Sequence, residues 1–453
     1  MNYLTATPIL HQKPKKWLRR YERPSARDIY AHFRQEHIPT FDRDPAMSGL
    51  LQLSDVGKLA PNDDTLQIFR DKLTDAVGSN KRGFPGAQPV SFARRHLQEL
   101  KDADYFVCEK TDGIRCLLFL SFHVTADGNT EMAFLVDRKN DFYFIDNPSF
   151  HFPLPNQAPD TFHTDTVIDG ELVLDTYPDG RTVRRYLVFD CLALDGKPIT
   201  NRTLDKRLGI FDANVFKPQQ ALLNKYPEEK EQQPFEVRMK KLDRAYGVEG
   251  IFKEMPLLTH GNDGIVFTCR TTPYKSGTDE NILKWKPPHE NTIDFKLQIG
   301  AFPRLGGDTN GHTLTNGTLA TDDFDYDACP SFNLLVGEGR GRHSVFGTLF
   351  VSDDEWTSMK SLNQMLDARI IECYKDSQGR WRFKREKDGT PRFRDDKDDA
   401  NHVSTVHSVL ESIEDAVSEQ DLIAHAAEIR ARWKQREAEA ARQAREQQQG
   451  RPA

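Results

Sequence analysis

The sequence predicts an α+β protein: an antiparallel-sheet domain, then a small β-barrel, then a helical C-terminal segment. Three observations predict it. Between Tyr105 and Leu297, short runs rich in β-branched and aromatic residues alternate with DG, NP and PDG turns, the pattern of antiparallel strands. A second, shorter series of such runs follows residue 330, with one helix-like stretch inside it. Val406, Val409, Leu410, Ile413 and Val417 then line one face of a helix. At 453 residues the chain is long enough for two domains with separate cores.

Composition narrows the function classes. Hydrophobic residues make up 37% and charged residues 29%, and no apolar run approaches the roughly 20 residues of a membrane helix, so no membrane partner is expected. The formal net charge of -7 argues against a protein that coats nucleic acid non-specifically, which needs many Lys and Arg contacts to phosphate. A polyanionic substrate held by local cations stays open. The six cysteines show no CxxC or Cys/His metal spacing and read as reduced core residues of a cytosolic or nuclear protein.

Residues 1–46 read as a basic, disordered extension. The first forty carry a net charge of +5, concentrated in KPKKWLRR, which suits a nuclear-import or polyanion-binding patch as well as a solvated tail. Met47 offers an alternative start. Residues 47–298 form the first domain, with strand-like runs such as YFVCEK, IRCLLFLSF, TVIDGELVLD, RRYLVFDCLAL, GIVFTCR and ILKWK, and helices expected over 203–213 and 238–251. Residues 299–402 form the second domain. It opens with an acidic loop over 301–330, read as an insertion, and continues with NLLVGEG, SVFGTLFV, a helix-like SDDEWTSMKSLNQML, ARIIECYKD and RWRFKRE. Five strands with one helix among them fit a barrel of the OB type. Residues 403–453 hold two helices, the first capped by Ser404 or Thr405. The second carries Leu422, Ile429 and Trp433 before a frayed tail.

The strongest chemical signal is EKTDGIR, residues 109–115. One strand delivers Lys110 into a tight turn and the next leaves with Arg115; alone, this is also what a hairpin with a solvated lysine looks like. An ordinary lysine, with a pKa near 10.4, is deprotonated only about one part in 2,500 of the time at pH 7. A nucleophilic lysine therefore needs neighbouring cations or a metal. Candidates exist along the chain. Glu171 in VIDGELVLD offers a carboxylate from a strand–turn to sugar hydroxyls or a metal. Asp263 in NDGIVFTC stands just before a buried strand. Lys284 and Lys286 share one strand face, with Trp285 on the other, and Arg138 adds a cation. Phe189 in YLVFDCLALDG would by default be core.

Taken in order, EKTDGIR, DGELV, YLVFD, DGIVF, LKWK and RFRDDK (392–397) resemble the motifs of the covalent nucleotidyltransferases, the superfamily of mRNA capping guanylyltransferases and ATP-dependent polynucleotide ligases. FPGAQPVSF (84–92), LKWKPPHENTIDF (283–295) and RFRDDKDDANHVSTVHSVLESI (392–413) favour the capping branch, in its fungal, monofunctional alpha-subunit form. The likeness runs from Met47 to Glu437. It implies a nucleotidyltransferase domain followed by an OB-fold domain.

The resemblance also implies a two-step reaction. Lys110 attacks GTP to give a lysyl-GMP and pyrophosphate, with Mg2+ or Mn2+ as cofactor. The GMP then passes to the 5′-diphosphate end of nascent RNA, making a GpppN cap. Arg115 and Glu171 would hold the ribose, Phe189 and Val266 would sandwich guanine, and Asp263 with Glu171 would serve the metal. Lys284 and Lys286 would bind the α-phosphate, and Arg138 the RNA end or GTP phosphates. Arg394, Asp396 and Lys397 would close over the β- and γ-phosphates from the second domain. KREKDGTP (384–391) separates WRF from RFRDDK more than the family pattern does, leaving Arg382 a competitor of Arg394. No triphosphatase signature is present, so the resemblance implies a separate RNA 5′-triphosphatase subunit. It also implies docking to the phosphorylated C-terminal domain of RNA polymerase II and a nuclear location. Two other readings stand beside it: an ATP-dependent polynucleotide ligase, and a non-catalytic capping scaffold.

Overall fold

The computed structural model describes residues 51–80, 83–125, 128–304 and 324–449. The expected basic extension, the alternative start at Met47 and most of the acidic 301–330 loop lie outside them. The strands of the first domain are, in chain order, β1 (Lys58–Leu59), β2 (Ala87–Ser91), β3 (Tyr105–Thr111), β4 (Ile114–Thr125), β5 (Gly128–Val136), β6 (Phe142–Phe144) and β7 (Thr166–Thr176). They continue with β8 (Thr182–Leu194), β9 (Lys197–Pro198), β10 (Glu236–Met239), β11 (Asp243–Arg244), β12 (Asn262–Cys269) and β13 (Gly277–Trp285). The second domain adds β14 (Ile293–Ile299), β15 (Phe332–Gly339), β16 (Arg342–Thr348), β17 (Ile370–Lys375) and β18 (Trp381–Phe383). The helices used below are α1 (Asp64–Ala76), α2 (His96–Asp102) and α3 (Leu204–Phe211), then α4 (Val248–Glu254), α5 (Asp353–Ser361), α6 (Val403–Glu414) and α7 (Glu419–Gln449).

Two sheets build the first domain. The larger runs β1-β6-β5-β4-β7-β8-β10, with β9 on β8, and the smaller runs β11-β3-β12-β13-β2. In β4, Cys116, Leu118 and Leu120 enter one core and Leu117 and Phe119 another, so this strand is buried on both faces and reads as a continuous apolar run. The expectation of purely antiparallel sheets needs correction, because β10 pairs parallel with β8 and β13 parallel with β2. The sheets are mixed.

The helix expected over 238–251 is also corrected: it is the end of strand β10, then β11, a 3-10 turn over Ala245–Gly247, and only then α4. Val237 is buried in the core beneath the large sheet, and parallel pairing with β8 outweighs the local helical pattern. The helix expected over 203–213 forms as α3, followed by a π-helical turn over Asp212–Phe216.

Not every DG is a turn. Asp169-Gly170 lies within β7 and Asp263-Gly264 within β12, each at a register shift against a neighbouring strand. A Cβ on Gly170 would stand 2.5 Å from the Tyr186 ring, and one on Gly264 2.1 Å from the Trp285 carbonyl oxygen. These glycines admit close approach inside the sheet. Glu171 is therefore presented by an unbroken strand, and Asp263 lies in its strand rather than before it.

The second domain begins earlier than residue 299. β14 starts at Ile293 and belongs to the third sheet, ordered β16-β15-β14-β17-β18. Leu349 bridges Trp381, and the Phe350 N–H donates to the Trp381 carbonyl at 2.9 Å, so the two edge strands meet and the sheet closes into a five-stranded barrel. Ile293, Phe295, Leu334 and Ile371 fill it. A capping box at Ser352 and Glu355 starts α5 between β16 and β17.

The C-terminal helices divide their loyalties. Val406 and Val409 of α6 pack on the barrel, whereas Leu422 and Ile429 of α7 return to the core behind the small sheet. Trp433 is 2% exposed, and Arg436 Nε donates to Asp104 at 2.8 Å, so α7 is docked as far as Glu437, and from residue 438 the tail continues as a solvated helix. Among the described residues the cysteines are free, and all but Cys329 are buried, as expected. No helix there is long and apolar enough to cross a membrane.

Candidate active site

A cleft of about 390 Å³ runs between the two sheets of the first domain and the barrel. Lys110, Arg115, Arg138, Glu171, Phe189, Val266, Lys284, Lys286, Arg394 and Lys397 all line it. Two expected residues do not. Asp263 stands behind the lysines, and Asp396 is exposed beside Arg394.

Strand periodicity sets the first-domain wall. Ile265 and Phe267 of β12 and Leu283 and Trp285 of β13 point into the core. The alternate residues Val266, Thr268, Ile282 and Lys284 therefore face the cleft. Val266 pairs with both Cys108 and Lys284 across the sheet, so Lys110 at the end of β3 and Lys284 on β13 converge on one surface.

Asp263 links two of these cations. Lys110 Nζ donates to Asp263 Oδ1 at 2.6 Å, and Lys286 Nζ lies 2.6 Å from Oδ2. Burial would raise the Asp263 carboxyl, but Lys110 and Lys286 together hold it below the ordinary carboxylate range. Lys284 has no acidic partner among the described residues. Burial, reinforced by Lys286, Lys110, Lys397 and Arg138, lowers it from 10.5 to about 8. Arg138, exposed at the cleft mouth, likewise makes no ion pair among the described residues.

On the opposite side, Arg115 is clamped by Asp169, Nε at 3.1 Å from Oδ1 and an Nη at 2.7 Å from Oδ2, a bidentate pairing. Another Nη of Arg115 donates to the Ala87 carbonyl, and the Tyr274 hydroxyl donates to Asp169 at 2.7 Å. The Arg115 guanidinium then lies 5.4 Å from the Phe189 ring. Phe189 is half-buried, not core. Glu171 accepts from the Gly113 N–H at 3.2 Å. Burial raises its carboxyl despite Lys240, Lys110 and Arg138 nearby.

The barrel wall is wired differently. Arg394 lies 3.3 Å from Asp294 Oδ1 and donates to Asp396 at 2.9 and 2.8 Å, and Lys397 also pairs with Asp294. Arg382 instead donates to Glu355 at 2.5 Å, which also accepts from Arg385, and it lies outside the cleft. Of the two, only Arg394 lines the cleft. Residues 384–391 fold into a tight hairpin closed by Arg385 and Pro391, which returns the chain to β17, where the Arg394 N–H donates to the Ile370 carbonyl.

The sequence reading missed Lys240, Asp294 and Tyr274. Lys240 is 8% exposed, pairs with Glu109 at 3.2 Å and donates to the Thr111 hydroxyl beside Lys110. The expected 238–251 helix concealed it; the alternation of buried Phe235 and Val237 was the available signal.

Two adjoining family descriptions match: "mRNA capping enzyme, catalytic domain" over residues 53–288 and "mRNA capping enzyme, C-terminal domain" over 290–423. The chain belongs to the mRNA capping enzyme family. Its curated relatives include proteins named mRNA-capping enzyme subunit alpha. That of Neurospora crassa is 46% identical over 388 residues, covering 83% of this chain and 92% of its own length. That of Schizosaccharomyces pombe is 45% identical, with 84% and 88% covered, and that of Saccharomyces cerevisiae is 35% identical, with 87% and 88% covered. Among solved structures, mycobacterial DNA ligase D complexed with ATP and MES aligns over 69% of this chain at 16% identity and a TM-score of 0.32, too slight a likeness to bear on the chemistry.

Proposed function

We propose that this member of the family is the mRNA guanylyltransferase and that Lys110 is its nucleophile. The observation that carries the reading is the placement of Lys110 beside Lys284, which has no acidic partner among the described residues, with Arg138 at the mouth of the same cleft, one a nucleotide can enter. Uncompensated cations facing one another are costly unless an anion arrives, and a triphosphate is such an anion.

In the first step Lys110 Nζ, which here donates to Asp263, gives up a proton and attacks the α-phosphorus of GTP. The N–P bond forms, the bond to the bridging oxygen breaks, and pyrophosphate leaves. In the second, a terminal oxygen of the 5′-diphosphate RNA attacks the same phosphorus and the lysine is released. Lys284 and Lys286 offset charge on the α-phosphate. Arg138, Arg394 and Lys397 are placed for the outer phosphates or the RNA end. Arg115 and Glu171 hold the ribose, and Phe189 and Val266 flank the base. Asp396 acts on Arg394 rather than on nucleotide.

Mg2+ or Mn2+ fits the donor set. An ion of this kind is held through one or two carboxylates together with phosphate oxygens and water. Glu171, which lines the cleft, would be one of them, while Asp263, paired with Lys110 and Lys286, would act on the ion only through those lysines. When bound, the metal supplies charge neutralisation for the departing pyrophosphate.

We read the barrel as one of the OB type; its five strands, with a helix between the third and fourth, support this. The relatives' designation as an alpha subunit favours a second subunit, here an RNA 5′-triphosphatase. Docking to the phosphorylated C-terminal domain of RNA polymerase II and a nuclear location complete the reading.

The test is mass analysis of protein treated with GTP and metal. A GMP adduct on Lys110, abolished in Lys110→Ala, is expected. An adduct from ATP but not GTP would establish the ligase reading; none from either, with the protein folded, would leave the scaffold.

A further inference from the structure

The barrel carries a second concentration of unpaired charge outside the cleft. β15 and β16 are joined by Arg340-Gly341, with Gly339 paired to Arg342 across the turn. Arg340 has φ 55° and Gly341 φ 71°, the two left-handed residues of a type I′ hairpin turn, where Asn-Gly is favoured and a long side chain is uncommon. Arg340 and Arg342 are both exposed. Neither makes an ion pair among the described residues, not even with the neighbouring Glu338, although the chain as a whole is acidic.

The position of this turn matters. Asp294 and Glu372, which line the cleft, face each other where β14 begins, Glu372 midway along β17. β15 runs antiparallel to β14, so the β15–β16 turn projects from that same end of the barrel. The Gly337 N–H donates to the carbonyl of Asn401, a cleft residue, at 3.0 Å. His343 Nε2 lies 2.5 Å from Asp399. The hairpin is thus pinned to the cleft rim, and three more residues carry its tip about 10 Å outward.

We propose that Arg340 and Arg342 bind the phosphodiester backbone of the acceptor RNA as it leaves the cleft. This rests on the guanylyltransferase reading. An RNA whose 5′ end reacts at Lys110 must exit across the rim, and successive phosphates match two exposed guanidiniums that recognise charge rather than sequence. An acidic phosphopeptide would meet the same charges, but nothing leads such a chain from the reacting centre.

The test uses the full-length protein with Arg340→Asn and Arg342→Gln combined. Asn favours the left-handed turn, so the hairpin is retained while both charges go. GMP adduct formation from GTP should equal wild type. With a 5′-diphosphate RNA of about 20 nucleotides, KM should rise about tenfold with kcat within about twofold, and the slope of log KM against log salt should fall by about 1.4. A 5′-diphosphate dinucleotide should be transferred as by wild type.

An unchanged KM for the long RNA overturns the proposal. So does an equal rise for both acceptors, which would place the effect inside the cleft. So does lost binding of a phosphopeptide alone, which would assign the turn to a protein partner. If wild type forms no adduct, the guanylyltransferase reading itself falls, and this one with it.

Discussion

The two walls of the cleft share a plan and differ in balance. On the first-domain wall Lys110 and Lys286 share Asp263; on the barrel wall Arg394 and Lys397 share Asp294. Beyond these triads they diverge. The first domain adds Lys284 and Arg138, neither in an ion pair among the described residues. The barrel adds acids, with Asp396 at 2.8 Å and Glu372 at 3.9 Å from Arg394. One wall holds cations that lack ion pairs among the described residues. The other satisfies itself, and under the proposed reaction it would offer cations only when phosphate replaces its carboxylates.

Lys284→Met breaks this comparison most sharply. Adduct formation should fall about 100-fold, yet the protein should gain about 1 to 2 kcal/mol of stability at pH 7, since a buried, repelled cation is removed. The sign follows from the shift. A lysine lowered from 10.5 to about 8 destabilises the folded state fully below about 8, and the penalty fades as pH climbs towards the unfolded value. Thermal unfolding of variant and wild type should therefore converge between those limits. A variant less stable at pH 7, or one with undiminished labelling, would mean Lys284 is not uncompensated.

Asp294→Asn probes the other wall. With Arg394 and Lys397 released towards the cleft, KM for GTP should fall about threefold to fivefold, worth up to about 1 kcal/mol. Thermal stability should drop by a similar or larger amount. A rise in KM would show that Asp294 positions these cations rather than restraining them. The smallest effect belongs to Arg382→Gln, whose rate of adduct formation should stay within about twofold. Glu355 keeps Arg385 as a partner, and the stability loss should not exceed about 1 kcal/mol. A large loss of labelling would return Arg382 to the site.

What could be read from sequence was whatever local order encodes. EKTDGIR marks Lys110 and Arg115 because a strand, a turn and a second strand are contiguous, and LKWK separates Lys284 from Trp285 by simple alternation. What could not be read depends on distant partners. Asp112-Gly113, Asp169-Gly170 and Asp263-Gly264 look alike, yet of these three only the first is a turn between strands; the other two are set by Tyr186 and the Trp285 carbonyl crossing beside them. Met239, Leu242 and Tyr246 recur at near-helical spacing, but β8 claims the first as strand. Asp294 stood in plain view within NTIDF and gained a role only when the hairpin at 384–391 brought Arg394 and Lys397 to it.

The path of the C-terminal helices has a consequence for how the barrel is mounted. The chain leaves the first domain after Trp285 and re-enters it with α7, and at that crossing Trp285 Nε1 donates to the Val417 carbonyl at 2.8 Å. Exit and return are knotted together at one point, between the two lysines of the LKWK run. The barrel is therefore topologically an insert, a loop of chain whose ends already touch, the arrangement in which one domain is most readily lodged in another. Shortening or lengthening it would cost the first domain little closure entropy, and any swing it makes pivots on the tryptophan that separates Lys284 from Lys286.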